Sequence, residues 1–169
     1  MKKVIIIGCP GSGKSVLSKK LHKITGLPLY HLDSIYWNPN KTHISREEFT
    51  EKIKEIGKTD EWLMDGDFVS TLDVRMSLCD TVIFLDFPLS VCVEGIMSRV
   101  GTSHDDLPWN EPPEINEKFL NFTKSYNKER RPIVLEIFKK YPDKNILIFK
   151  SRDEVNGFLE GLKLNEFNL

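Results

Sequence analysis

Gly8-Cys9-Pro10-Gly11-Ser12-Gly13-Lys14-Ser15 fits G-x-x-x-x-G-K-[ST] with every fixed residue present. Val4-Ile5-Ile6-Ile7 directly before it is a short apolar run, and Val16, Leu17, Leu21 and Ile24 after it mark one face of a helix. Strand, glycine-rich loop and helix therefore come in the order a phosphate cradle requires. A phosphate chain brings several negative charges together, and backbone N–H groups curling around it, with the first turn of the following helix, are the donors it needs. The glycines let the backbone come close. Lys14 is placed to reach the β- and γ-phosphates and the Ser15 hydroxyl to help hold Mg²⁺, whereas Pro10, lacking an N–H, must sit where the cradle needs none.

The chain around this loop has 169 residues, enough for one domain with a real core. Its 24 basic and 25 acidic residues leave a formal net charge of -1, which gives no general electrostatic reason to bind nucleic acid. Local positive charge must do any phosphate work. Cys9, Cys79 and Cys92 are an odd count without metal spacing, set in or beside apolar segments, and a reducing cytoplasm is the simplest reading. Met1-Lys2-Lys3 is followed by only four apolar residues before the loop, so no secretory or membrane segment is expected.

Downstream, Gly26 stops the first helix, and Pro28 to Leu32 reads as a second strand ending at Asp33. Ser45 and Glu48 form a capping box for a helix with the stripe Phe49, Ile53, Ile56. Glu61 to Met64 is a third strand closed by Asp65-Gly66-Asp67, Leu72 to Leu78 a short helix, and Thr81 to Phe87 a fourth strand from which Pro88 turns into a helix towards Arg99. Gly101 to Pro113 holds three prolines without periodicity; so long a loop inside a compact domain suggests a lid, over about residues 101–114. A helix from Ile115 runs through Lys128, Arg130 and Arg131, and Pro132 opens another with Ile133, Ile137 and Phe138. Asn145 to Phe149 is the fifth strand, and Ser151 to Glu154 repeats the capping spacing before a last helix. Five short apolar strands separated by helices make an α/β layer protein with a mainly parallel sheet. Its ligand belongs beyond the carboxyl ends of the strands, where Gly8 to Ser15, Asp33, Asp65 to Asp67 and Asp86 fall.

A phosphate loop alone does not separate hydrolysis of a nucleotide from transfer of its phosphoryl group. Asp33 could accept a hydrogen bond or a proton from a substrate hydroxyl, or cap the next turn. His31 reads as a supporting residue. Asp86, after Val82-Ile83-Phe84-Leu85, stands where an acidic residue lies near Mg²⁺ in many such proteins, or is a turn residue before Pro88. Gly66 at a strand end would let an acceptor approach backbone. Positive charge outside the cradle comes from Arg75, Arg99, Lys128, Arg130 and Arg131, and Trp37 and Trp109 could close over a flat substrate or pack under the loop.

Beyond the loop, Leu29-Tyr30-His31-Leu32-Asp33 with Trp37, Trp62-Leu63-Met64-Asp65-Gly66 with Thr71, Leu72 and Arg75, the run Asp80 to Pro88, Arg130-Arg131-Pro132 and Ser151-Arg152 resemble the adenylate-kinase-like P-loop proteins often labelled DNA topology modulation proteins. The resemblance implies a three-layer P-loop NTPase fold with helices on both faces of a five-stranded parallel sheet of order 2-3-1-4-5, and a site of the nucleoside-monophosphate-kinase and shikimate-kinase type. It implies that Gly8, Cys9, Pro10, Gly11, Ser12, Gly13, Lys14, Ser15 and Val16 hold ATP, with the base near Ser151 and Arg152. Ser15 and Asp86 would hold Mg²⁺. Asp33 matches the second aspartate of the Asp-x-Asp motif of shikimate kinases, which contacts the acceptor hydroxyl, and His31 stands in place of the first. Trp37, Gly66 and Arg75 fall to the acceptor, and Arg99 matches an arginine at the lid entrance. Chains of this kind usually carry a second arginine near Arg99 and a basic lid; here the matching position is Gly95, beside Glu94, and Gly101 to Pro113 has no Lys or Arg.

Two readings follow. One is a Mg-ATP-dependent kinase of a small molecule, with a nucleoside, nucleotide or polyol as acceptor and with Lys14, Asp33, Arg99, Arg130 and Arg131 as its catalytic set. The other is a nucleotide-binding regulatory or interaction protein with little or no transfer.

Overall fold

The computed structural model describes residues 1–102, 107–109 and 114–166, residues 165 and 166 by their backbone alone. Five parallel strands form one sheet in the order β2-β3-β1-β4-β5: β1 (Lys3–Gly8), β2 (Leu29–His31), β3 (Trp62–Asp65), β4 (Thr81–Leu85) and β5 (Asn145–Phe149). The helices are α1 (Lys14–Thr25), α2 (Leu32–Tyr36), α3 (Arg46–Gly57), α4 (Leu72–Leu78), α5 (Leu89–Met97), α6 (Glu117–Glu129), α7 (Arg131–Lys139) and α8 (Arg152–Glu166), with a single 3-10 turn over Val69–Thr71. This is the three-layer arrangement expected above.

The interior strands carry apolar side chains on both faces because both faces are covered. On one side Ile5, Ile7, Met64, Val82 and Phe84 meet Phe49 and Ile53 of α3, Met76 of α4 and Val134 and Phe138 of α7. On the other, Val4, Ile6, Leu63, Ile83 and Leu85 meet Leu17 and Leu21 of α1, Cys92 of α5, Tyr126 of α6 and Leu159 of α8. Register then fixes the site. Gly8 pairs with Leu85 and Leu85 with Phe149, so the phosphate loop, Asp86 and Lys150 leave the sheet at one level. Ile6 pairs with Asp65 and Asp65 with His31, which brings Gly66 and α2 out together beside them.

Ser45 caps α3 as its spacing predicts, its Oγ accepting from Glu48 N at 3.0 Å, and Ser151 Oγ accepts from Glu154 N at 3.2 Å. Several expectations change, the third strand among them: it runs Trp62–Asp65 and takes in Asp65, which pairs with Ile6 and His31. The second strand stops at His31, the last residue paired with β3; beyond it Leu32 has no ladder partner and turns into α2, where its side chain is fully buried. Asp33 therefore lies in the first turn of a helix and not at a strand end. Val16 is 60% exposed, and Ser18 takes the buried position on α1 because its hydroxyl donates to Asp65. The fourth strand ends at Leu85, before Asp86 and Phe87. The helix expected from Ile115 begins at Glu117, where Asn116 caps Phe119 N at 3.1 Å, and it breaks at Arg130 so that Pro132 falls in the first turn of α7. Of the expected lid, residues 103–106 and 110–113 lie outside the described residues.

Asp80 joins the start of the chain to β4. It accepts from Lys2 N at 2.7 Å, Lys3 N at 2.9 Å and Thr81 Oγ1 at 2.6 Å. Desolvation pushes its carboxyl up, but these hydrogen bonds and the terminal ammonium outweigh that and hold it below the usual aspartate range. A carboxyl lowered by folding contributes stability that is present above its unfolded pKa and lost as pH falls through the folded value. Unfolding followed against pH should therefore show an acid decline that Asp80→Asn flattens; an unchanged acid limb would remove Asp80 from this role.

Candidate active site

β1 delivers the chain into the phosphate loop at Gly8, and Ser12 N donates to Cys9 O at 3.1 Å to close it before Leu17 N, bonded to Gly13 O at 2.9 Å, starts the helix. Gly11 (φ 78°) and Gly13 (φ 94°) have left-handed backbone, which glycine adopts without a Cβ penalty. Among the described residues a Cβ on Gly13 would meet nothing within 4 Å, whereas one on Gly11 would lie 2.0 Å from Cys92 O on α5. Lys14 folds back over the loop, its Nζ donating to Gly8 O (2.9 Å) and Cys9 O (3.1 Å). Ser12 is 2% exposed and its hydroxyl finds no hydrogen-bond partner among the described residues. The first turn of α1 carries no acidic residue, which leaves the positive end of its dipole uncompensated. Left-handed glycines, a buried hydroxyl without a partner among the described residues and an amine resting on backbone carbonyls fit a phosphate chain.

Beside the loop stand β3 and the turn after it. Asp65, 3% exposed, accepts from Ser18 Oγ at 2.5 Å and bonds His31 Nδ1 at 2.9 Å, so His31 and Asp65 tie β2, β3 and α1 together. Gly66 packs against Leu32, whose Cβ would be 2.9 Å from an added Cβ. Arg75 is completely buried. Its Nη1 donates to Gly66 O (2.9 Å), and its Nη2 to Asp67 O (3.1 Å) and Phe68 O (2.9 Å), which fixes this turn from beneath. Burial lowers the guanidinium to about 10, against the pull of nearby Asp67. Arg75 thus holds this turn through its backbone carbonyls, with those donors already used.

Asp67, read above only as part of a turn, is the residue the sequence did not single out. Its Oδ1 accepts from Tyr126 Oη at 3.2 Å, and its Oδ2 lies 3.7 Å from Arg130 Nε. Burial pushes its carboxyl up even though Lys14, Arg75 and Arg130 all attract it. Tyr126 is 59 residues away in the chain, so no local pattern could have shown the contact.

The other cations divide between two carboxylates. Arg130 lies on the Phe122 ring, 3.8 Å from its centroid, and faces Asp67. Arg131 holds Asp86 with two hydrogen bonds, Nε to Oδ1 at 2.7 Å and Nη2 to Oδ2 at 2.8 Å, and Lys150 Nζ also donates to Asp86. Desolvation pushes the Asp86 carboxyl up, but the bonds and charges of Arg131 and Lys150 prevail and keep it below the usual aspartate range. Arg99 lies just beyond α5, half-buried beside Glu114 and Phe119. The structure therefore brings Lys14, Arg130 and Arg131 to the cradle and its two flanking carboxylates. Ser15 sits in the first turn of α1, and Ser151 and Arg152 open α8 next to Lys150. Trp37 follows α2 and meets Trp109 edge to face, with centroids 5.8 Å apart. Cys9 Sγ donates to Thr123 O at 3.8 Å, and the neighbouring Cys92 thiol together with burial raises the Cys9 thiol.

No protein-family model matches the chain, and no curated protein matches it in sequence. Solved structures do share its fold. A gluconokinase from Sinorhizobium meliloti 1021 superimposes with a TM-score of 0.59 at 13% identity, over 98% of this chain and 95% of the other. A shikimate kinase from Acinetobacter baumannii in complex with shikimate gives 0.60 at 13% identity, over 99% and 94%. A shikimate kinase from Bacteroides thetaiotaomicron gives 0.59 at 14% identity, over 98% of each chain. The fold is that of P-loop kinases.

Proposed function

We propose that the protein transfers the γ-phosphoryl group of Mg-ATP to a hydroxyl of a small molecule. The observation that carries this is the loop of Gly8 to Ser15, with Lys14 Nζ resting on its carbonyls, set beside two carboxylate–arginine pairs at the carboxyl edge of the sheet. In the reaction the acceptor oxygen bonds to the γ-phosphorus, the bond from that phosphorus to the β–γ bridging oxygen breaks, and ADP leaves. Lys14, Arg99, Arg130 and Arg131 follow the negative charge as it moves. Asp33 orients the acceptor hydroxyl and takes its proton, while Trp37 and the Gly66 turn, held by Arg75, shape the acceptor side.

Gly8, Cys9, Pro10, Gly11, Ser12, Gly13, Ser15 and Val16 form the donor side, with Ser151 and Arg152 near the base. Ser15 and Asp86 offer the hard oxygen ligands that Mg²⁺ prefers, and Mg²⁺ bound there would neutralise charge on the β- and γ-oxygens. Asp86 would join by exchanging its present cations for the metal. The narrower likeness to the topology-modulation group rests on the sequence segments alone and adds no DNA role to this reading.

The test is acceptor-stimulated release of ADP. Asp33→Asn should keep nucleotide affinity within about twofold and lower stimulated release by about 10²-fold or more, the usual effect of losing an acid–base group. Binding of Mg-ATP with no acceptor able to stimulate release would favour the regulatory reading.

A further inference from the structure

We propose that Asp67 is a placeholder for the nucleotide's phosphate charge: in the empty chain it engages Lys14 and Arg130, and it takes up a proton from solvent when a bound nucleotide draws these cations away. This rests on reading Gly8 to Ser15 as a nucleotide loop, and holds whether or not transfer follows. The backbone puts the carboxylate beside that loop. Gly66 N donates to Ile6 O at 3.2 Å, and Ile6 pairs with Asp65, so Asp67 leaves β3 alongside the residues of β1 that enter the loop. Lys14 Nζ lies there too, on Gly8 O and Cys9 O. Helix α6 meets both: Thr123 O accepts from Cys9 Sγ at 3.8 Å, and one turn later Tyr126 Oη donates to Asp67 Oδ1 at 3.2 Å. At the end of the helix Arg130 Nε stands 3.7 Å from Asp67 Oδ2, an ion pair longer than a hydrogen bond.

Among the described residues, the ionisable groups that face Asp67 are Cys9 and Lys14 of the loop, Arg75 of α4, and Tyr126 and Arg130 of α6, with Asp86 acting on Tyr126 in turn. Lys14 comes first among the cations that attract it. Arg75 has both Nη atoms on backbone carbonyls, so Lys14 and Arg130 are the cations that a phosphate chain in the loop would draw on. The phosphates also bring like charge towards a carboxylate that burial already pushes up. Both changes favour its neutral form, and binding then takes up a proton. The sign follows from linkage. Nucleotide affinity falls as pH rises between the empty-site and the nucleotide-bound pKa of Asp67, by at most about tenfold per pH unit, and is flat on either side.

The experiment is calorimetric titration of the full chain with Mg-ADP, over a range of pH and in buffers of different ionisation enthalpy, which counts the protons taken up. Titration of the nucleotide's own phosphates is common to every variant and cancels in the comparison. The unsubstituted chain should take up more protons than Asp67→Asn, and Asp67→Asn should bind Mg-ADP about tenfold tighter at neutral pH, having no charge to displace. Tyr126→Phe removes a hydrogen bond to the ionised carboxylate and should move the pH window of uptake upwards, which a merely structural role would not do. Thermal unfolding checks that the variants are folded, and if Asp67→Asn is not, the shift or its absence in Tyr126→Phe decides. Equal uptake with and without Asp67, or an unmoved window in Tyr126→Phe, would overturn the inference and leave the nucleotide loop standing. Weaker binding by a folded Asp67→Asn would also overturn it and make Asp67 a ligand of the nucleotide's metal instead. Absence of any Mg-ADP binding by the unsubstituted chain would sink the reading of the loop, and the inference with it.

Discussion

Lys14→Ala is expected to lower acceptor-dependent phosphoryl transfer by about 10³-fold or more while leaving the protein folded. The magnitude follows from the position of the charge. A single preorganised cation or donor aimed at the migrating phosphoryl group contributes about 10²- to 10⁵-fold in related chemistry, and Lys14 is the cation seated on the cradle itself. The structural cost is small by comparison. Its Nζ donates to two backbone carbonyls of a part-buried loop, and losing such bonds costs about 1 kcal/mol each. Single-turnover transfer rates and thermal unfolding of the variant check both halves. Arginine should not restore the rate, because a planar fork does not replace a compact ammonium at this point. Full activity of Lys14→Ala would remove the loop from the mechanism.

The second large effect is expected at Gly95. A Cβ there would lie 2.0 Å from Gly11 O, and the reciprocal Cβ on Gly11 would lie 2.0 Å from Cys92 O. Both obstacles are backbone atoms, which cannot rotate away, so α5 and the phosphate loop are in contact main chain to main chain. Gly95→Ala must push the helix or the loop aside. Overpacking of this kind costs about 1–3 kcal/mol, which in a chain of this size lowers the melting temperature by about 2–12 °C, and the displaced loop should bind ATP at least about tenfold more weakly. Gly157→Ala and Gly161→Ala on α8 are the controls. Nothing lies within 4 Å of a Cβ at either site, so both should be neutral or stabilising by up to about 1 kcal/mol. Nucleotide affinity unchanged in Gly95→Ala would show that α5 does not support the loop.

That contact also recasts a feature of the sequence. Gly95 reads as the place where an arginine of similar chains is missing, yet the structure leaves no room there for any side chain. The substitution could not be understood from sequence because it depends on how closely two segments approach, and no local pattern encodes that distance. What was legible was local or periodic. The phosphate loop declared itself by fixed spacing between an apolar run and a helix, and Ser45 and Ser151 cap as their spacing requires. The sheet order followed from the resemblance carried by several segments, and the observed order agrees. The second strand misled because Leu32 continues an apolar run while its backbone has already passed the last residue paired with β3.

The candidate site was legible in its parts and not in its pairings. Arg130, Arg131 and Asp86 stood out by charge and position, but that Arg131 would hold Asp86 and Arg130 face Asp67 depends on α6 and α7 folding back across the strand ends, over separations of 45 and 63 residues. Asp67 was hidden for the same reason. Beside Gly66 it looks like turn composition, and only burial among Tyr126, Arg130 and Lys14 sets it apart. Arg75 shows the converse. Its charge suggested a ligand, and its burial makes it the clasp of the turn that a ligand would meet.

The central claim is transfer to a small molecule, and following the label from γ-labelled ATP tests it most directly. With Mg²⁺ and a panel of nucleosides, nucleotides and polyols present, label is expected in a phosphorylated small-molecule product, with ADP formed in equal amount and both lost in Lys14→Ala. Label recovered only as inorganic phosphate, at a rate indifferent to every acceptor, would contradict it and make the protein a nucleotide hydrolase or a nucleotide-binding regulator.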